Sequence, residues 1–415
     1  MENKKQKFDF YIKIGLILII GLISRIIIHN VLNLDADFRG GDSGYYLEVA
    51  RNILNNSVHG LGSPPEPTFF RAPLYSLFVA GIIYFFGENV FAFFIAQSVL
   101  TIILGLLIFL MLSTARPILA FYAALLIVAS PSDVFFNARV LGETLTTFFL
   151  VLGITQVYIA KSRIQFFIAG LLFALTSLVR DVYIFLPLFV VVYFLFFRRI
   201  HTNLIVFLLV GFILGVAPWV GRNAMQQGGG LFISKGASGY NLWVGTWERN
   251  PQWTIDLKFP DYAFSSEEEK KTIKYAAADN NDKYMQNLAF ARITGDFISV
   301  ATIWVKRAPR LWIGTRSDLV TFVYERYGAQ WYFIKYALFM FNVIILATAA
   351  LGIALSIKRR EGLVIFTVPC LYTALIYFPF HNTETRYSQP IYSILLIFSV
   401  YLVVELFPHI KKLYK

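Results

Sequence analysis

PLYSLFVAGIIYFFG, residues 73–87, decides how this chain is threaded. The stretch is apolar but only about 15 residues long, short of the roughly 20 that a helix needs to cross hydrocarbon, and it opens with proline. Whether it crosses sets the sidedness of everything after it. The Lys and Arg clusters decide the matter, because cytoplasmic loops carry an excess of them. Lys4, Lys5 and Lys7 precede the first apolar run and place the N-terminus in the cytoplasm. If 73–87 stays on the outer side, Arg116, Lys161 with Arg163, Arg198 with Arg199, Lys358 with Arg359 and Arg360, and the tail of Lys411, Lys412 and Lys415 all fall inside. If it crosses, the clusters up to Arg199 flip outside. The first arrangement obeys the rule at every cluster, so 73–87 is predicted to be a juxtamembrane or re-entrant helix.

About ten spans follow, near 14–34, 91–112, 117–130, 141–159, 164–179, 182–197, 203–220, 329–356, 363–380 and 390–407. Hydrophobic residues make up 57% of the 415 and charged residues 15%, against about a quarter charged in a soluble domain. Backbone polar groups in lipid must pair internally, so the runs read as helices, and the alternation of a membrane β-barrel is absent. The expected class is an all-α polytopic membrane protein with outer juxtamembrane helices. The first run is long, contains Arg25 and His29 and lacks a small-residue cleavage site, so it reads as an uncleaved span. The net charge of +12 is distributed between the runs as topology requires and does not call for nucleic acid. The single cysteine, Cys370, lies in an apolar run and excludes both an intramolecular disulfide and a cysteine-built zinc site. Three units are expected: a core over 1–220 with its first outer loop at 35–90, an extracytoplasmic or interfacial segment over 221–328, and closing helices over 329–415. The middle unit holds the polar stretch 265–271, and an apolar stretch at 298–314 carrying Lys306, Arg307 and Arg310, as in a helix lying at headgroup level.

Five arginines resist this topology. Arg71, Arg139, Arg180, Arg222 and Arg386 all fall at or near outer ends of spans. A guanidinium presents a planar fork suited to phosphate or carboxylate, so the group points to a phosphate-bearing lipid headgroup. Singly, each could instead snorkel or pair with Asp181, Glu143 or Glu384. The first outer loop reads LDADFRGGDSGYY over 34–46 and leads into an amphipathic helix with Tyr46, Val49, Ala50, Ile53 and Leu54 on one face. Asp42 there can cap the helix or act as a general base. Asp35 and Asp37 form an Asp-x-Asp pattern able to hold a divalent cation. Glu143, at the start of a span, is a functional candidate or the partner of Arg139 at helical spacing. His381 and Glu384 flank Arg386.

Six stretches, DSGYY (42–46), FRAPLY (70–75), ARVLGE (138–143), LTSLVR (175–180), APWVGRN (217–223) and HNTETRYSQP (381–390), taken in order, resemble the GT-C-fold glycosyltransferases that use polyprenyl-phosphate sugars. That superfamily includes the protein O-mannosyltransferases and the lipid A aminoarabinose transferase. The resemblance covers about 25–390 and departs from the family pattern at Ser43, where an acidic residue often follows the loop aspartate. It implies a hexosyl or pentosyl transferase of a bacterial cytoplasmic membrane, with both termini cytoplasmic and an extracytoplasmic active site. A sugar would pass with inversion from a polyprenyl phosphate in the outer leaflet to a glycolipid, glycan or protein acceptor. Asp42 and Glu143 are the implied catalytic groups. Arg71, Arg180, Arg222 and Arg386, then Lys306 and Arg310, are the implied phosphate ligands. Tyr45, Tyr46, Tyr75, Arg139, His381 and Tyr387 are the implied substrate contacts. A lipid-phosphate leaving group needs no diphosphate clamp, so no cofactor is required and a divalent cation is optional. The glycines at 228–230 and the stretch 238–243 read as a lid or as ordinary packing. A lipid-linked sugar flippase would show half-repeats and midplane charges, and neither stands out. A polysaccharide polymerase or ligase and a non-catalytic subunit are the other readings.

Overall fold

The computed structural model describes residues 2–32, 42–197, 201–236, 238–246, 282–314, 328, 330–380 and 385–407. Among these are sixteen α-helices: α1 (Glu2–Leu32), α2 (Asp42–Asn56), α3 (Leu74–Phe86), α4 (Val90–Ser113), α5 (Pro117–Ala129), α6 (Pro131–Asn137), α7 (Glu143–Ile159), α8 (Arg163–Val179), α9 (Leu186–Phe196), α10 (Thr202–Met225), α11 (Ser238–Gly245), α12 (Asp282–Gly295), α13 (Phe297–Arg307), α14 (Gln330–Lys358), α15 (Thr367–Tyr377) and α16 (Tyr392–Leu406). A two-stranded antiparallel hairpin pairs Gly60–Leu61 with Glu66–Pro67.

Local chemistry sets several boundaries. Asn89 caps α4 by accepting from the Phe91 N–H, at 2.8 Å. Pro117 opens α5, where a missing N–H costs nothing. Ser162 and Gln165 form a reciprocal capping box on α8. Gly87, with φ of 72°, ends α3 in a region that favours glycine.

The 13 residues of α3 span about 20 Å at 1.5 Å per residue, well short of the ~30 Å hydrocarbon core. The helix packs on α2, α4 and α8 through Tyr75 and Val79, both fully buried. All ten apolar segments carry helix, but length and composition establish fewer than ten spans. Helices α1, α4, α10, α14 and the Gln389–Leu406 run qualify alone, and two bent pairs raise the total to seven. Helices α7, α8, the Asp181–Phe196 run and Gly362–Tyr377 are apolar but shorter.

Helix α10 crosses α8 at two glycines. A Cβ on Gly170 would lie 2.0 Å from the Leu208 carbonyl oxygen, and one on Gly211 would lie 2.2 Å from that of Phe167. Small residues at such a crossing let backbones touch where no hydrophobic force drives helices together in lipid. Cys370 is buried, as the sequence implies. Of the 221–328 segment, α11 to α13 are described, and α12 and α13 bend by 107° at their junction. The 265–271 stretch, Asp35, Asp37, His381 and Glu384 lie outside the described residues.

Candidate active site

Five charged side chains, scattered from residue 42 to residue 386, meet at one end of the bundle. Asp42 is the first residue of α2, where a carboxylate faces the positive end of the helix dipole. Arg71 lies in the bend two residues before Pro73, which opens onto α3. Glu143 opens α7, and Arg180 is the extended residue at which the chain leaves α8. Arg386 lies in the turn before the 3-10 helix Gln389–Ile391.

The five interlock. Arg71 Nη2 lies 2.5 Å from Asp42 Oδ1, and Arg386 Nη2 lies 2.7 Å from Asp42 Oδ2. Arg386 Nε reaches Glu143 Oε1 at 2.6 Å, and Arg180 Nη1 reaches the same oxygen at 3.4 Å. Arg386 therefore bridges the two carboxylates. Glu143 is 1% exposed and Asp42 28% exposed, so one carboxylate is enclosed and the other can meet a substrate. The second oxygen of Glu143 is buried without a hydrogen-bond partner among the described residues. Three guanidinium groups facing two carboxylates leave one net positive charge.

Burial pulls the Asp42 carboxyl upward, but Arg71 and Arg386 outweigh it and hold the group below the usual carboxylate range. Asp42 is therefore ionised at neutral pH. Desolvation opposes the charge of Arg386, yet Glu143 and Asp42 lift its guanidinium well above the ordinary value.

Aromatic rings line the cluster. The Arg71 guanidinium sits 5.8 Å from the Tyr45 ring, 5.6 Å from Tyr46 and 5.2 Å from Phe70. Tyr387 lies 5.4 Å from Arg180 and 5.8 Å from Arg386. Tyr75 is fully buried, meets Tyr46 edge-on at 4.7 Å and donates to Gln97 at 3.3 Å, so it supports the cluster from below.

The other sequence candidates stand apart from the five. Arg222 stacks on Trp219 at 4.7 Å and donates to the His59 carbonyl at 3.4 Å. Arg139 lies over Phe135 at 5.2 Å, while Glu143 takes Arg180 and Arg386 as its partners. Lys306 is exposed on α13. Arg310 lies in the turn after α13, with one guanidinium nitrogen buried and lacking a hydrogen-bond partner among the described residues. That turn touches the Arg386 loop, since the Ser388 hydroxyl donates to the Leu311 carbonyl at 2.5 Å. Sequence reasoning missed Gln97, Ser132, Asp133, Asn137 and Gln389, all buried polar groups around the site. The available signal was their polarity inside apolar surroundings.

No protein-family model and no curated protein sequence matches the chain. Solved structures do. The archaeal oligosaccharyltransferase AglB from Archaeoglobus fulgidus, in complex with an inhibitory peptide and a dolichol-phosphate, superposes with a TM-score of 0.54 at 13% identity over 97% of this chain. The chain has a GT-C fold. Two further structures of the Archaeoglobus fulgidus oligosaccharyltransferase share it. One, in complex with Zn and sulfate, has a TM-score of 0.52 at 11% identity over 94% of this chain. The other, tethered to an acceptor peptide containing the NVT sequon, has a TM-score of 0.51 at 12% identity over 95%. The chain spans about half the length of these proteins: 51%, 49% and 50%. Among the described residues, no group of three or more His, Cys, Asp or Glu side chains gathers in this GT-C fold as a metal site would require. Asp42 turns its two oxygens to Arg71 and Arg386, and Glu143 turns Oε1 to Arg386 and Arg180.

Proposed function

We propose that this chain is a membrane glycosyltransferase moving a sugar or glycan from a polyprenyl-phosphate donor to a hydroxyl or amine of a glycolipid, glycan or protein, at the extracytoplasmic face. The observation that carries the proposal is the Arg71–Asp42–Arg386–Glu143 chain, placed at the end of a GT-C bundle. A site with one surplus positive charge favours a lipid phosphate over a metal cation.

In the proposed step the acceptor oxygen or nitrogen attacks the anomeric carbon. The bond from that carbon to the phosphate oxygen breaks, its electron pair leaves with the lipid phosphate, and the anomeric centre inverts. Asp42 accepts a hydrogen bond from the acceptor and aligns it. Its depressed pKa makes it a weak base, so it orients the acceptor and takes up the acceptor's proton only as the new bond forms. Arg386 and Arg71 supply fixed positive charge toward the leaving phosphate without reorganising. Arg310, whose buried guanidinium nitrogen lacks a hydrogen-bond partner among the described residues, and Arg222, stacked on Trp219, are further phosphate ligands. Tyr45 and Tyr387 offer ring faces to the sugar, buried Tyr46 backs Arg71, and Lys306 meets lipid headgroups. Because guanidinium groups meet both oxygens of Asp42 and Oε1 of Glu143, transfer is expected to persist in EDTA.

The test uses purified full-length protein, a labelled polyprenyl-phosphate sugar and an acceptor extract. Wild type transfers label, and Asp42→Asn slows transfer by about 10²–10⁴. A folded Asp42→Asn that matches wild type sinks the assignment of Asp42.

A further inference from the structure

Beneath the Arg386 loop runs a buried polar chain that the transfer step does not use. Gln389 is 1% exposed. Its side-chain nitrogen donates to Asp133 Oδ1 at 2.9 Å, and its oxygen accepts from the Ser132 hydroxyl at 2.6 Å. Both partners sit in the first turn of α6, themselves buried. Each end of the amide is thus committed to a partner of matching character. Asp133 in turn acts electrostatically on Arg25 of α1, a span residue that is 4% exposed. Arg25 donates to Ser24 at 2.9 Å, to the Gly21 carbonyl at 3.2 Å and to the Val128 carbonyl. Asn137, in the amide orientation that satisfies both its ends, accepts from Arg25 at 3.3 Å and donates to the Asp133 carbonyl at 3.0 Å.

An acid and a base buried among membrane helices are expensive and ordinarily retained for a function. Through the Gln389 amide this pair reaches the turn that carries Arg386. The Gln389 N–H donates to the Arg386 carbonyl at 3.1 Å, so the fixed amide and the arginine share one turn. The Ser388 hydroxyl pins the same turn to Leu311 and to the Thr385 carbonyl.

We infer that Gln389, clamped by Asp133 and Ser132, is the positioning residue that sets Arg386 between Asp42 and Glu143, a role that rests on the transfer reaction proposed above. Asp133 and Arg25 carry that constraint back to α1. Displacing a catalytic charge by an ångström can cost about a hundredfold in rate, so loosening the clamp should appear in kcat.

The test is a charge swap. Gln389→Glu places a carboxylate against Asp133 and breaks the bond. Asp133→Asn combined with Gln389→Glu rebuilds an N–H to oxygen bond with the same total charge. Full-length protein is assayed for transfer and for the rise in Tm given by a long-chain polyprenyl phosphate. Expected for Gln389→Glu is a fall in kcat of about tenfold to a hundredfold with little change in acceptor KM, and a smaller Tm rise. The double variant recovers both. Gln389→Glu with wild-type kcat overturns the inference, as does a double variant that stays as impaired as the single one. A wild type that transfers but gives variants of equal rate condemns the clamp alone. A wild type that neither transfers nor responds to polyprenyl phosphate condemns the donor reading and the clamp with it.

Discussion

Replacing Arg386 by methionine removes one cation and leaves two carboxylates behind. Asp42 keeps Arg71 at 2.5 Å and remains partly exposed. Glu143, 1% exposed, keeps only Arg180, at 3.4 Å, in place of the 2.6 Å contact. Breaking a buried pair by deleting one partner costs about 3–5 kcal/mol. Arg180 retains part of the compensation, so about 2–3 kcal/mol is expected here, as for an isolated charge-assisted hydrogen bond. The effect on transfer should be larger. A preorganised donor aimed at developing charge is worth about 10²–10³ in rate, and Arg386 also aligns Asp42. Arg386→Lys keeps the charge but cannot offer two nitrogens to two carboxylates at once, and should recover little. The decisive arm is Glu143→Gln combined with Arg386→Met. It removes the buried carboxylate that lost its 2.6 Å partner, leaves a glutamine oxygen able to accept from Arg180, and returns the cluster to one surplus positive charge, so Tm should climb back toward wild type while transfer stays low. Thermal unfolding in detergent reads the first and label transfer the second. If Arg386→Met transfers within about threefold of wild type while folded, the bridge is not part of the catalytic apparatus. If Glu143→Gln restores transfer as well as stability, the loss came from misfolding and the reasoning fails.

Transfer by wild type should be unaffected by EDTA and unstimulated by Mn²⁺ or Mg²⁺; a requirement for either would overturn the guanidinium bridge as the source of positive charge. His59, 8% exposed, is pushed down to about 4 by burial and then by Arg222. Free histidine titrates near 6.5, so the native state binds fewer protons between those values and loses stability as pH falls through that window. A shift of this size amounts to about 3 kcal/mol, and Tm against pH should flatten below 6.5 in His59→Leu relative to wild type. Gly170→Ala forces a methyl to within 2.0 Å of the Leu208 carbonyl oxygen, so α8 and α10 must part, at about 1–3 kcal/mol or more by overpacking. An unchanged Tm would show that the crossing is looser than described.

The helical class was legible because hydrocarbon permits few alternatives, and the short helix at 73–87 was legible because its length and the flanking charges agree. The charge rule singled out Arg71, Arg139, Arg180, Arg222 and Arg386, of which the structure joins Arg71, Arg180 and Arg386 to Asp42 and Glu143. Their pairing was not legible. Spacing offers Arg139 as a partner for Glu143, four residues earlier, whereas the structure supplies Arg386, 243 residues later. Local periodicity carries no information about contacts at that separation. For the same reason the Asp133–Gln389 bond, 256 residues apart, left no mark beyond two polar letters near apolar runs. The span count, read from hydropathy and the Lys and Arg clusters, is matched by helix at every apolar segment, and five to seven of the helices among the described residues are long and apolar enough to cross. Tyr75 looked like a substrate contact by motif, yet full burial and a bond to Gln97 give it a supporting place.

The bridge made by Arg386 also bears on the order in which the protein is born. Asp42 emerges from the ribosome 344 residues before the arginine that joins it to Glu143. Until residue 386 follows, a growing chain holds both acids without the cation that links them. The centre is therefore assembled by tertiary packing across the bundle and by no single stretch of the chain.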